Sequence, residues 1–442
     1  VPQSLCPACQ QDTAESHPPP NKKRAPRPRA NRRQKLAATQ GWVDDDDRNI
    51  NLPSLYQICL ETIAKYIDDV EALGSIGEQD VDNLCRILSR HRRITDTTVQ
   101  LFLQDGLNCK QLRLYDCSYL TEDGLLQLAY SCPNVDTVTL RFCGRMTDRV
   151  VGVYAAQWTR VRHLDMYGAF LVTDGMWAQL MESCGALLES LAIWHSPRFS
   201  TLSVAALASH CSQLQELVLA HNNRVDEDCI HALTALVHLR RLELIELGPS
   251  ISQTSLVHLL EAIGSGLSVL KLEWFQSVDN DLLLQGIAPC CPRLTSFSLA
   301  NCSGVDDTGL AMFFKQWRTQ DQLEYLNMSR CLQVGDKAIV ELMDHHGKSL
   351  AFLDVNGLDI VTKEAWMHVA TSAISLQHMD WSWCRSVDDD IVSCMVQTAQ
   401  AHPLDLSTRM QIRVWGCEKV TEFIPNLQAA RVRIIGRECD TL

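Results

Sequence analysis

"LRLYDCSYLTEDGLLQLAYSCP", residues 112–133, decides the fold. Leu112 and Leu114 stand two apart, Cys117 follows, and the aliphatic Leu120 precedes a Thr-Glu-Asp turn. Leucines then recur at helical spacing. The same order returns in "FSLANCSGVDDTGLAMFF" (297–314) and "LNMSRCLQVGDKAIVELM" (326–343). From Leu107 onward the unit recurs every 25 to 29 residues, with one longer step near the end.

This is the leucine-rich-repeat pattern in its cysteine-containing subtype, and it implies an α/β solenoid. The leucines of LxL point inward from a short strand, while the residue between them and the one after face the open side. The cysteine, or Asn222 in "LAHNN", turns the chain just after the strand. The Asp of "TD" or "DD" is placed to cap the helix that follows. No unit buries its apolar stripe alone, so the units must stack. Strands are expected near Leu112, Val138, Leu164, Leu191, Leu217, Leu242, Leu270, Phe297, Leu326, Leu353, Met379 and Ile412, about twelve repeats. The units at Leu191 and Leu242 are the least regular, and "RVRIIG" after Ala430 reads as a closing strand. A single right-handed arc is expected, with strands on its concave side.

The repeat cysteines Cys117, Cys143, Cys302, Cys331, Cys384 and Cys417 read as structural. The open side should present Arg113, Tyr115, Arg141, Asp165, Tyr167, Trp194, Glu243, Lys271, Glu273, Asp354, Asp380, Arg413 and Trp415. Aromatics and arginine anchor protein interfaces, so Tyr115, Arg141, Tyr167, Trp194, Lys271, Arg413 and Trp415 are the candidate partner surface. A phosphate-binding face would be uniformly basic, and this one mixes both signs.

At 442 residues, 46% apolar and 21% charged, the composition is that of a soluble globular protein. No window offers the roughly 18 apolar residues of a membrane span. The polar, proline-rich start is no signal peptide, and without an initiator methionine the chain is expected to be cut from something longer. Nineteen cysteines in such a chain argue for a reducing compartment rather than a disulfide framework.

Four segments are expected: 1–20, 21–48, 49–105 and the solenoid 106–442. In the first, Cys6 and Cys9 of "CPAC" form half of a structural zinc site, with His17 the one other ligand type in reach. Zinc is expected only if residues upstream of Val1 complete the set, so this fragment should hold no cofactor. In the second, "NKKRAPRPRANRRQK" (21–35), with Lys22, Lys23, Arg24, Arg32 and Arg33, is too charged and proline-rich to fold. It reads as a nuclear import signal or DNA-contacting arm, and "DDDD" (44–47) closes the segment. Taking its eight positive charges from a net charge of −13 leaves −21 elsewhere, a poor surface for nucleic acid.

Residues 49–105 carry two amphipathic helical patterns. The first, "SLYQICLETI" (54–63), fits S-L-x-x-x-C-x-x-x-I, the pattern of an elongin-C-binding box. Leu55, Cys59 and Ile63, four apart, share a helix face, so a leucine anchor and a small thiol enter a partner's pocket side by side. The competing reading makes this helix a cap on the first repeat.

The following stretch, "IDDVEALGSIGEQDVDNLCRILSRHRRITDTTVQLFL" (67–103), resembles the Rad seven family of fungal nucleotide-excision-repair proteins. The resemblance runs from the box through the last repeat. It implies a leucine-rich-repeat subunit of a nuclear global-genome repair complex, without catalytic residues. The implied partners are a Swi/Snf-type ATPase bearing a RING finger, with which ultraviolet lesions in chromatin are surveyed, and elongin C with a cullin in a ubiquitin ligase. The box matching Leu55, Cys59 and Ile63 would make the elongin C contact. An upstream CxxC would complete the zinc site with Cys6 and Cys9.

A non-enzymatic adaptor or substrate receptor is therefore the leading expectation. An F-box-type receptor is the second, although "LPSLYQIC" lacks the acidic residue usual in that box. Direct damaged-DNA binding by the repeat body is the third, disfavoured by charge. The sequence has no P-loop, H-E-x-x-H or G-x-S-x-G. "DHH" (Asp344–His346), at a repeat-helix end, reads as ordinary surface rather than a metal site.

Overall fold

Each inward leucine pair becomes a strand. In the computed structural model these are β1 (Gln111–Leu114), β2 (Thr137–Leu140), β3 (His163–Tyr167), β4 (Ser190–Trp194), β5 (Glu216–Ala220), β6 (Arg241–Ile245) and β7 (Val269–Glu273). β8 (Ser296–Ser298), β9 (Tyr325–Asn327), β10 (Phe352–Asp354), β11 (His378–Asp380), β12 (Met410–Arg413) and β13 (Val432–Ile435) complete one thirteen-stranded sheet in chain order. Neighbours are parallel and in register with the repeat: Leu112 faces Val138, which faces Leu164, which faces Leu191. Parallel neighbours need crossovers, supplied by helices such as Glu122–Ser131 and Asp336–His346.

The structure describes residues 54–74, 76–103, 109–317, 319, 322–402, 409–421 and 432–436, save the side chain of Glu78. Cys6, Cys9, His17 and the basic arm with Lys22, Lys23, Arg24, Arg32 and Arg33 lie outside these residues. Contacts divide the chain into two units, Val1–Ile58 and Cys59–Leu442.

Expected strand positions fall on the second residue of β1 through β11 and the third of β12. "RVRIIG" holds β13. The irregular units at Leu191 and Leu242 form full five-residue strands, because Leu191, Ile193, Leu242 and Leu244 keep the buried positions. Their departure lies at the cysteine slot, filled by Ser196 and Leu247.

At that slot the cysteines are buried donors. Cys302, Cys331, Cys384 and Cys417 donate to the carbonyls of Leu272, Leu299, Val355 and Trp381, each in the preceding repeat, at 3.1 to 3.3 Å. Asn222 does the same to Ile193 at 2.9 Å and also accepts from the Ser196 N–H. Burial pushes the Cys331 thiol up to about 12, so it stays a protonated donor.

The capping aspartates divide into two kinds. Asp226, Asp306 and Asp388 accept from the first turn of their own helices, as expected. Those in "TD" dipeptides instead reach one repeat onward. Asp148 accepts from the Thr173 N–H and hydroxyl, and Asp174 from those of Ser200. Thr147 and Thr173 occupy the cap positions, which carries Asp148 and Asp174 into the first turn and beside the neighbouring repeat; Asp336, after Gly335 at its cap, reaches the Thr362 N–H and hydroxyl in the same way.

Candidate functional site

The helix Leu55–Lys65, here α1, begins with a reciprocal cap: Ser54 Oγ accepts from the Gln57 N–H (3.2 Å) and Gln57 Oε1 from the Ser54 N–H (3.0 Å). This S-x-x-Q signature was present in the sequence and not used in reading it. Leu55 is 77% exposed, and Tyr56, Ile58 and Cys59 are exposed as well. Leu60, Ala64 and Ile67 are buried in the apolar core instead. At about 100° per residue, Leu55 and Cys59 lie about 40° apart, and Leu60 about 100° beyond Cys59. Ile63 sits between the two faces and packs partly on the core, unlike its two companions. Arg93 anchors the far end, donating to Ala64 O at 2.8 Å and pairing with Asp68.

On the open side of the sheet the expected residues occupy the expected rows, but many are held by neighbours. Tyr115 donates to Asp82 (3.0 Å) on the helix Glu78–Arg90 and lies under the Arg86 guanidinium (4.4 Å). Arg141 pairs with Asp165 at 2.8 Å. Lys271 pairs with Glu243 at 3.3 Å, and Arg413 stands 3.9 Å from Asp380. Glu243 and Asp380, expected to be exposed, are buried at 2% and 6% exposure, because cationic neighbours in their own or the adjacent strand cover them. Tyr167 belongs to a ring ladder with Phe142 (4.7 Å) and His195 (4.9 Å), which His221 continues at 4.1 Å. Burial first, then the neighbouring His221, pushes His195 down to about 4, so the ladder is uncharged there at neutral pH. Trp194 is half-buried and Trp415 exposed.

One feature of the edge was not read from the sequence. The residue just before the cysteine slot has a left-handed backbone in repeat after repeat: Phe142, His195, His221, Glu246, Trp274, Asn301, Arg330 and Trp383 have φ between 47° and 64°. Gly168, Gly357 and Gly416 stand at the same place, and those glycines were the signal available. The turn lets the backbone make one more bond to the next repeat, as from His221 N–H to Ile245 O (2.8 Å), and then leave the sheet.

In "DHH", Asp344 pairs with His368 (3.0 Å), His345 with Glu341 (3.3 Å), and His346 packs against Phe314 and Trp317. Among the described residues no group of three or more His, Cys, Asp or Glu is placed to hold a metal ion, and no helix is long and apolar enough to cross a membrane.

No family model matches the chain. It is similar to the DNA repair protein rhp7 of Schizosaccharomyces pombe, 33% identical over 435 residues, which covers 98% of this chain and 74% of rhp7. It is also similar to the DNA repair protein RAD7 of Saccharomyces cerevisiae, 27% identical over 90% of this chain and 72% of RAD7. Among solved structures it resembles a chain of the crystal structure of the Rad7 and Elc1 complex in yeast. The TM-score is 0.70 with 26% identity, over 87% of this chain and 94% of that one.

Proposed function

The chain belongs to the Rad7/rhp7 family of DNA repair proteins, and from that premise we propose that it is a non-enzymatic repair subunit that binds elongin C through α1. The observation that carries this reading is the exposed Leu55–Cys59 pair on a helix whose other face is buried. With Tyr56 and Ile58 also exposed, the pair belongs to a group of apolar side chains on one short helix, and such grouping rather than a lone exposed leucine marks an interaction surface. The resolved Rad7–Elc1 complex supports the choice of partner.

In this reading elongin C connects the chain to a cullin, and the open side of the repeats serves a Swi/Snf-type, RING-bearing ATPase. The assembly acts as a ubiquitin ligase in global-genome repair in the nucleus. Damaged DNA is met mainly through the complex, the basic arm making whatever direct contact there is.

The test is gel filtration of the full chain with purified elongin C or with the F-box adaptor. Co-elution with elongin C alone is the expected result. Co-elution with the F-box adaptor alone would replace this reading with the F-box one.

A further inference from the structure

Cations are spread through the whole chain, but primary amines are not. The sequence has eleven lysines and 29 arginines. Between Lys110 and Lys315, in the repeats of β1 through β8, stand eleven arginines and a single lysine, Lys271. The rest of the chain has ten lysines to 18 arginines, a proportion that would place about four lysines among these twelve cations. Lys271 itself is engaged. Its side chain is 22% exposed on the open side of the sheet, paired with Glu243 at 3.3 Å and 5.8 Å from the Tyr325 ring.

Ion pairing does not explain the choice of arginine. In this stretch Arg141, Arg162 and Arg241 pair with acidic side chains. Among the described residues Arg145, Arg149, Arg160, Arg224, Arg240 and Arg293 are exposed and pair with none. Lysine would supply the same charge and solubility at each. They lie on both edges of the sheet, Arg145 and Arg224 in turns after β2 and β5, and Arg160, Arg240 and Arg293 in turns before β3, β6 and β8. What separates the two side chains is nucleophilicity. A lysine amine, ordinarily near about 10.4, can lose its proton and attack an acyl carbon, whereas a guanidinium, at about 12.5–13.8, stays protonated.

We propose that the β1–β8 repeats are the surface within reach of a ubiquitin-charged conjugating enzyme, and that arginine in place of lysine keeps ubiquitin from being transferred to the chain itself. This rests on the reading of the chain as a ubiquitin-ligase subunit. In the transfer a lysine amine attacks the thioester carbonyl that joins ubiquitin to the enzyme's cysteine. The N–C bond forms, the C–S bond breaks, the thiolate leaves, and the surplus proton on nitrogen passes to solvent. A lysine of a partner held beside these repeats completes that step, and an arginine at the same distance does not. The stretch also adjoins α1, whose Leu60 and Ala64 share one apolar core with Leu112 of β1, so it is the part of the array next to the helix assigned to elongin C.

The experiment assembles the full chain with elongin C, a cullin, a RING protein, ubiquitin-activating and conjugating enzymes, ubiquitin and ATP, and maps modified lysines by mass spectrometry. Sites on the wild-type chain should fall outside residues 111–314. Two charge-preserving variants, Arg145→Lys/Arg224→Lys and Arg160→Lys/Arg240→Lys/Arg293→Lys, add amines to the two edges. At least one should raise modification of the chain several-fold, with ubiquitin on the added lysines. Arg330→Lys/Arg385→Lys, in repeats that already carry lysines, should stay at the wild-type level. Melting temperature and elongin C co-elution should match wild type in all three. Added lysines left bare while native ones are modified, or an equal gain in the third variant, overturn the proposal alone. An assembly that co-elutes yet modifies no lysine, native or added, overturns the ligase reading and the proposal with it.

Discussion

Asn222 closes two backbone groups of the preceding repeat with one side chain, donating to Ile193 O and accepting from the Ser196 N–H, both at 2.9 Å. Asn222→Leu leaves both buried and unpaired, and should lower stability by about 2–4 kcal/mol in denaturant unfolding. Asn222→Cys keeps a donor and loses the acceptor, so about half that loss is expected. A leucine variant as stable as wild type would mean that the slot only fills space. Gly416→Ala places a Cβ at positive φ against Trp383, and should lose about 1–2 kcal/mol while shifting tryptophan fluorescence. The cysteine slot was legible because few side chains are small, apolar and able to donate. The left-handed position before it was not. Phe142, Glu246, Trp274 and Arg330 share a backbone conformation there and no chemistry.

Between elements, the aspartates of "TD" fasten each helix to the next rather than to themselves. Asp174 accepts from the Ser200 hydroxyl (2.6 Å) and from the N–H groups of Ser200 (2.9 Å), Leu202 (3.0 Å) and Ser203 (3.1 Å). Burial alone would raise its carboxyl, but the hydrogen bonds from Ser200 and Ser203 outweigh it and hold the pKa below the ordinary value. Asp174→Ala should therefore lower stability by about 2 kcal/mol at neutral pH. Because the folded pKa is the depressed one, the contribution is complete above the unfolded value near about 3.9 and fades as pH falls through the folded value. Wild type and variant should converge in melting temperature in acid, and a gap constant with pH would show that the charge is not responsible. Strand positions were readable because a 25-to-29-residue period marks each inward leucine pair. The direction of the caps was not, since Asp174 and Ser200 are neighbours only after the sheet has stacked them.

For the whole molecule, the sequence marked the solenoid twelve times over and the box once, which is why the fold was far more legible than the site. Three residues four apart satisfy many core helices, and Ile63 indeed packs partly on the core. Only burial separates Leu55 and Cys59 from Leu60 and Ala64. The charge distribution adds a prediction at this scale: deleting residues 21–35 should flatten the salt dependence of any DNA binding, as fewer counterions are released. An unchanged slope would move that contact to the repeat body. Whether α1 serves a partner rather than the fold is read most directly from elongin C affinity and melting temperature measured on the same Leu55→Asp protein. A charge placed in an apolar pocket should cost several kcal/mol of binding, at about 3 kcal/mol or more, while the melting temperature stays at the wild-type value. Retained affinity with a lowered melting temperature would contradict it and leave α1 as a cap on the first repeat.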